Sequence, residues 1–147
     1  QVFTGSSVIV WGGIDGTPAS LNSGGVYNIS ANTWTPTSST NAPTLRHEHT
    51  AVYTGGKMLI WGGWQWAVGG LNTGGIYDPA DNSWTTISGT NAPEVRNIHS
   101  AVWTGYSGSD DGSASRSQTN STGHLGRMII WGGNTGLNSG AIYNPGP

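Results

Sequence analysis

Short apolar stretches alternate with turn residues along the whole chain. The middle third shows the pattern best, with strand-like stretches at residues 51–53, 57–61, 75–77 and 83–87. The first two stretches are joined by Thr54-Gly55-Gly56 and the last two by residues 78–82, where proline fixes φ and Asp and Asn favour a turn. Segments this short, bounded by Gly, Pro, Asn and Asp, predict four antiparallel strands, which we call a to d in chain order.

The same pattern recurs after 50 residues. Residues 1–50 aligned on 51–100 without a gap agree at 21 positions, which chance does not produce. A third copy begins at Ala101. The repeats define units 1–50, 51–100 and 101–147. The shared positions include Trp11-Gly12-Gly13/Trp61-Gly62-Gly63, Tyr27/Tyr77, Trp34/Trp84, Asn41-Ala42-Pro43/Asn91-Ala92-Pro93, Arg46/Arg96 and His49/His99.

Each unit resembles the kelch motif. The resemblance lies in an apolar strand that ends in Gly62-Gly63, in Tyr77 fourteen positions later, in Trp84 seven beyond it, and in the following Arg96. The Trp-Gly-Gly form and the repeat length are similar to bacterial kelch proteins. The resemblance implies an all-β fold of β-propeller blades, with strand a lining the central channel and strand d outermost. The Trp at positions 34 and 84 is expected to pack between neighbouring blades, where a large ring buries most area.

The third unit differs in length. Tyr143 aligns with Tyr77, so Pro147 reaches only the position of Asp81 and strand d has no counterpart. The sequence therefore predicts two full blades and a third that lacks its outer strand. Because propellers close with about four to eight blades, the ring is expected to be completed in one of two ways. Either further sequence of a longer or processed protein supplies the missing blades, or a second copy of the chain does.

Composition narrows the function classes. Only 8% of residues are charged, 25 are glycine and the net charge is −2, so neither a disordered chain nor a nucleic-acid partner is expected. No apolar stretch is longer than a strand, which argues against membrane insertion. The absence of cysteine excludes disulfides and zinc-cysteine sites. A surface rich in Asn, Thr, Ser, Gly and Trp is typical of secreted or cell-surface bacterial proteins, and we expect that location.

The units diverge most in residues 106–125, an insertion between strands a and b of the third unit. Asp110 and Asp111 have the oxygen ligands that Ca²⁺ prefers, but EF-hand spacing and a closing Glu are lacking, so a solvated loop without cofactor is the favoured interpretation. Asn28 and Asn120 begin N-glycosylation patterns, which matter only in a host that glycosylates.

A second divergent segment is the b-to-c loop of the second unit. Trp64, Gln65 and Trp66 have no counterparts in the other units, so the blade fold does not require them. Flat indoles beside a glutamine could stack on a sugar or anchor a protein partner. The alternative is that they cover a neighbouring loop.

A third divergent segment is the d-to-a connection. The kelch resemblance implies that it shares one propeller face with the b-to-c loops, so Glu48 is expected beside a candidate ligand site. That site comprises Trp64, Gln65, Trp66, Arg46, His47, Arg96 and Asn97. The recurrence of Arg46/Arg96 and His49/His99 favours a structural role instead, such as hydrogen bonds to blade carbonyls. His47 and His49 alone do not make a metal site.

Enzyme motifs are lacking in these residues. A kelch copper-radical oxidase needs a Cys cross-linked to Tyr, and the nucleophile elbow Gly-x-Ser-x-Gly is missing. No catalytic residue is assigned. The sequence therefore predicts an extracytoplasmic binding or scaffold module that recognises a protein or a carbohydrate through loops on one propeller face. The alternative is the propeller portion of a larger secreted oxidase or hydrolase whose catalytic residues lie outside this chain.

Overall fold

The computed structural model describes residues 1–16, 19–105, 126–134 and 136–143. The described residues form thirteen β-strands, arranged as three successive antiparallel blades and one small hairpin. The all-β, kelch-type architecture that the repeats predict is confirmed. The insertion at 106–125, with Asp110, Asp111 and Asn120, lies outside the described residues.

Blade 1 is a four-stranded meander in which each strand pairs with the next. Tyr27 lies opposite Trp34 across strands c and d, and their rings pack at 5.1 Å. Gly24 lies opposite Trp11, where a Cβ would collide with the carbonyl oxygen of Val10. The paired glycines therefore let strand c approach strand b closely. Strands a to d are β1 (Val2–Phe3), β2 (Ser7–Trp11), β3 (Gly24–Asn28) and β4 (Thr33–Pro36).

Blade 2 repeats this arrangement within a residue or so of the predicted strands. Its b-to-c loop adds a hairpin of two short strands, which the sequence pattern does not predict. Strands a and b are β5 (Thr50–Tyr53) and β6 (Met58–Trp61), the hairpin is β7 (Trp64–Gln65) and β8 (Gly69–Gly70), and strands c and d are β9 (Gly74–Asp78) and β10 (Ser83–Thr86).

Blade 3 contributes three strands to the described residues, β11 (Ser100–Trp103), β12 (Met128–Trp131) and β13 (Gly140–Tyr143). They pair in the order a, b, c, as in the other blades. The strand a of blade 2, β5, contacts both β1 and β11. Because the a strands of successive blades approach each other closely, they lie nearest the propeller axis, as the kelch resemblance implies.

Two apolar clusters hold the blades together. The first joins blades 1 and 2 through Ile9, Trp11, Met58, Ile60 and Trp84, among others. The second joins blades 2 and 3 and has Leu59, Trp61, Met128 and Ile130 at its centre. Alternate residues of β6 enter different clusters, so all four of its side chains are buried. The core therefore lies between the sheets, and each blade is stabilised mainly by its neighbours.

The predicted packing of the two tryptophans holds for one of them. Trp84 is 4% exposed, packs on Trp11 at 5.2 Å and donates from Nε1 to the carbonyl oxygen of Ser38 in blade 1. Trp34 is 61% exposed among the described residues, and its packing between blades stays a prediction. The reason is positional, because Trp84 faces the preceding blade and no described blade lies on that side of blade 1.

Candidate binding face

The b-to-c loops and the d-to-a connections meet on one side of the blades. The backbone N–H of His47 donates to the carbonyl oxygen of Trp64 at 3.0 Å, and the N–H of Trp64 donates to that of His47 at 2.8 Å. The connection leaving blade 1 is thereby joined to the hairpin of blade 2. We call this side the loop face, formed by residues 12–16, 19–23, 37–49, 62–73 and 87–99.

Trp66 is presented on this face by a fixed support. Its indole stacks on the imidazole of His47, with centroids 5.4 Å apart and planes 27° from parallel. His47 is itself buried, and its Nδ1 lies 2.9 Å from the hydroxyl of Ser20. Trp66 nevertheless remains 55% exposed. The outer surface of the indole is therefore available to a ligand while its other side rests on the protein.

Trp64 and Gln65 serve a different purpose from Trp66. Both are half-buried and form strand β7, paired with Gly70 and Gly69 across the hairpin. The hairpin gives the loop a defined backbone and carries Trp66 at its turn. Of the three residues that the sequence singles out in this loop, Trp66 is the most exposed.

Further apolar side chains are exposed around Trp66 and the neighbouring connections. Leu45 and Val95 occupy equivalent positions just before the two repeated arginines, and Val68 follows Trp66 in the hairpin turn. We call the exposed apolar residues of the loop face the apolar rim, which comprises Ile14, Leu45, Trp66, Val68, Val95 and Ile98. Sequence reasoning missed all of these except Trp66, although the apolar residue before each Arg is a detectable signal.

Two connections are joined to each other by Glu48. Its carboxylate accepts from the Asn97 amide at 2.6 Å, and its carbonyl oxygen accepts from the N–H of Ile98 at 3.1 Å. Glu48 and Ile98 have φ of 56° and 52°, in the left-handed region that a β-branched residue rarely adopts. The strained backbone places the exposed Ile98 beside the backbone carbonyl of Glu48.

Arg46 and Arg96 were candidate ligand residues, but their positions require a correction. Arg46 is 1% exposed, and its guanidinium donates to the carbonyl oxygens of Gly62 and Thr73 in blade 2 and to that of Thr44. Arg96 makes the equivalent bonds to blade 3. Burial lowers the pKa of Arg46 to about 10. Both arginines bridge blades, in agreement with their recurrence, and are too buried to form a contact surface. Asn97 is also buried and holds Glu48.

The recurring histidines are also interior. His49 and His99 lie edge-on to Trp11 and Trp61, and the His99 Nε2 is 2.8 Å from the hydroxyl of Thr50. Desolvation lowers the pKa of each imidazole to about 4, so both are neutral at physiological pH. Among the described residues, no group of three or more His, Cys, Asp or Glu could hold a metal ion.

Two further sequence features concern the surface. Asn28, at the end of β3, is exposed, and its Oδ1 accepts from the Ser30 hydroxyl and the Ala31 N–H, both at 2.9 Å. The described part of the chain contains no helix of the length and apolar character that crossing a bilayer requires.

The blades, their buried bridging arginines and the shared loop face can be compared with known families. Residues 1–108 match the family model described as the KLHDC2/KLHL20/DRC7 Kelch-repeats domain. This chain belongs to the kelch-repeat family. The comparison with curated proteins found no match. Kelch repeats generally mediate protein–protein interactions, and this chain is a β-propeller module of that kind.

Proposed function

We propose that this kelch module is an extracytoplasmic scaffold that binds a protein partner through the apolar rim, with Trp66 as the main anchor. The observation that carries the proposal is the exposed Trp66 indole held against His47. An aromatic ring that is fixed before binding loses little conformational freedom when a partner covers it. Tryptophan is also enriched among the residues that dominate interface energy.

The surroundings of Trp66 favour a protein over a carbohydrate. A sugar-binding site combines an indole with polar groups that bond the hydroxyls. Here five aliphatic side chains of the loop face are exposed together with Trp66. The nearby polar groups already have partners, since Arg46 bonds to carbonyl oxygens and Asn97 to Glu48. Aliphatic side chains around one indole suit the apolar side chains of a polypeptide.

The charges on the loop face define the partner further. Glu48 and Glu94 are exposed there, while the two arginines are buried. Glu94 lies 3.5 Å from the Arg96 guanidinium, whereas the Glu48 carboxylate accepts from the neutral Asn97 amide. The accessible charge is therefore negative at Glu48. We infer that the partner offers an apolar anchor flanked by Lys or Arg, because complementary charge steers association and fixes register.

The extracytoplasmic location is proposed from composition. The chain has a single lysine, Lys57, and 8% charged residues, with abundant Asn, Thr, Ser and Gly. Such a surface, in a chain without cysteine, fits a secreted or cell-surface bacterial protein.

A peptide-display selection tests the binding proposal. Random peptides are selected on the immobilised chain and then measured against a Trp66→Ala/Val68→Ser double variant. We expect selected peptides to carry an apolar residue next to Lys or Arg and to bind the double variant at least tenfold more weakly.

Ile29→Ser is the matched control, because Ile29 is an exposed apolar residue in the c-to-d turn of blade 1, away from the loop face. Equal affinity for the native chain and the double variant would refute the apolar rim as the binding surface. A glycan array run in parallel distinguishes the ligand classes, and saturable binding of a carbohydrate that depends on Trp66 would replace the protein partner.

A further inference from the structure

The outward face of blade 1 carries a groove, separate from the loop face. Its volume is about 470 Å³, and it is lined by Val10, Gly24, Gly25, Trp34, Thr35 and Pro36. Trp34 forms its exposed wall. The groove lies between strands b, c and d, on the side that faces away from blade 2.

The corresponding groove of blade 2 is filled, and its occupant shows which chemistry fits. The segment that leaves blade 1 lies in it, with Pro43 so close to Gly75 that a Cβ there would be 2.5 Å from the proline Cγ. Trp84 Nε1 donates to the carbonyl oxygen of Ser38 at 3.0 Å. Asn82 accepts from the N–H of Ser38 at 2.7 Å. The segment turns at Asn41, where φ is 57° and the N–H of Ala42 donates to the carbonyl oxygen of Ser39 at 3.3 Å. A turn-containing segment is thus recognised by its backbone and by one proline.

Blade 1 presents the same groups at a shift of 50 residues. Gly25, Asn32 and Trp34 correspond to Gly75, Asn82 and Trp84. The Asn32 side chain is fixed by the Tyr27 hydroxyl at 2.7 Å, as Asn82 is by Tyr77 at 2.8 Å. Both asparagines have positive φ, 52° and 55°. The groove of blade 1 is therefore already arranged to receive a segment of the same kind.

We propose that this groove binds a turn-containing polypeptide segment of the type Ser-x-Thr-Asn-Ala-Pro, supplied by a kelch blade other than these three. The chain has two such segments, residues 36–43 and 86–93. Both are already seated, since Ala42 packs in the cluster between blades 1 and 2 and Ala92 in the cluster between blades 2 and 3. A folded second copy therefore has no such segment to offer.

A synthetic peptide with the sequence of residues 36–43 provides the test. It is titrated into ¹⁵N-labelled chain while the indole N–H signals are recorded, and the Trp34 signal is assigned by its loss in Trp34→Phe. We expect a saturable downfield shift of the Trp34 indole, because its N–H gains a carbonyl acceptor. The Kd is expected to be on the order of 0.1–1 mM, since a short flexible peptide loses much freedom on binding.

The controls distinguish binding in this groove from non-specific binding of the peptide. A peptide with Pro43→Ala should bind at least fivefold more weakly, and Trp66→Phe in the protein should leave the titration unchanged, so the result does not depend on the proposed rim. A Trp34 indole signal that ignores the peptide, or that responds equally to the Pro43→Ala peptide, would overturn the proposal. So would a Trp34 signal that shifts with the concentration of the chain itself and not with peptide, because the occupant would then be a second copy.

Discussion

His49 and His99 are kept neutral by their positions in the fold. Each imidazole is packed edge-on against a tryptophan, and the Nδ1 of each has no hydrogen-bond partner among the described residues. The pKa falls from 6.5 to about 4 because burial disfavours the cation. In the unfolded chain the same groups take up a proton near pH 6.5. Stability is therefore full above pH 6.5 and decreases as the pH falls towards 4.

His99→Gln tests this pH dependence. Gln keeps a polar group that can reach Thr50 but does not titrate, so the variant lacks one contribution to acid destabilisation. The variant is expected to be less stable than the native chain at pH 7.5, with the difference shrinking by up to about 3 kcal/mol between pH 6.5 and 4. Urea unfolding at several pH values measures it. A difference that stays constant across this range would show that the fold does not lower the pKa of His99.

Gly75 and Gly25 are equivalent positions of the repeat, but the space beside them differs. A Cβ on Gly75 would collide with Pro43 and approach Trp84. A Cβ on Gly25 would be too close only to the ring of the exposed Trp34, and in ordinary contact with the carbonyl oxygen of Thr35. Gly75→Ala should cost about 1–3 kcal/mol of stability, since two packed rings must shift. Gly25→Ala should cost less than about 1 kcal/mol, because Trp34 can turn into solvent. Equal losses in chemical denaturation would mean that Pro43 does not confine Gly75.

At the scale of elements, the connections between blades depend on the buried arginines. Arg46 uses all three guanidinium nitrogens, and its hydrogen bonds reach both Thr44 in its own connection and Thr73 in blade 2. The planar guanidinium can make all these bonds at once, whereas a lysine ammonium carries its donors on a single nitrogen. The buried Arg46 cation depends on these hydrogen bonds, because no carboxylate lies within ion-pair distance of it among the described residues.

Arg46→Lys is therefore expected to destabilise the chain by about 2–4 kcal/mol, through buried carbonyls that lose their donors. Arg127→Lys, the same exchange at an exposed position, should change stability by less than about 0.5 kcal/mol. Thermal or urea unfolding of the two variants provides the comparison. Similar small losses of stability at both positions would show that the contact between blades does not depend on the guanidinium geometry of Arg46.

The strands themselves were predictable because their signals are local. Apolar stretches ended by Gly pairs, and Asp-Pro or Asn turns, define a meander without knowledge of the neighbours, and the structure agrees within a residue or so. Hairpin β7–β8 was not predictable, since Trp64 and Gln65 pair with two glycines that carry no apolar signal.

Burial was the harder quantity, because it depends on the adjacent blade. Met58-Leu59-Ile60-Trp61 and Met128-Ile129-Ile130-Trp131 have almost the same sequence, yet the first is buried throughout and the second only at alternate residues. The apolar rim could be predicted only in part, because its geometry also depends on contacts between adjacent blades. Trp66 stood out as a departure from the repeat, but the support from His47 is a contact between blades, and no pattern within one unit indicates it.

At the scale of the whole molecule, the exposed large apolar side chains of the described residues, apart from Ile29, gather on three surfaces. One is the apolar rim, the second is the outward face of blade 1 with Phe3 and Trp34, and the third is the outward face of blade 3. The third surface comprises Val102, Ile129, Trp131 and Ile142, and their counterparts in blade 2, Val52, Leu59, Trp61 and Ile76, pack on blade 3. A contiguous apolar face of this kind attracts another such surface.

Copies of the 147-residue chain are therefore expected to associate through the outward face of blade 3 as concentration rises. An Ile129→Lys/Trp131→Ser double variant should shift this association to at least tenfold higher concentration, because it places a charge and a hydroxyl on an otherwise apolar sheet. Its free energy of unfolding, measured at low concentration, should stay within about 0.5 kcal/mol of the native value, since both side chains are already exposed. Sedimentation velocity over a concentration series measures the association, with Trp66→Ser as the control for a tryptophan lost from the rim. If the double variant associates as the native chain does and the rim variant does not, the attractive surface is the rim, and the face of blade 3 is ordinary solvent-exposed sheet.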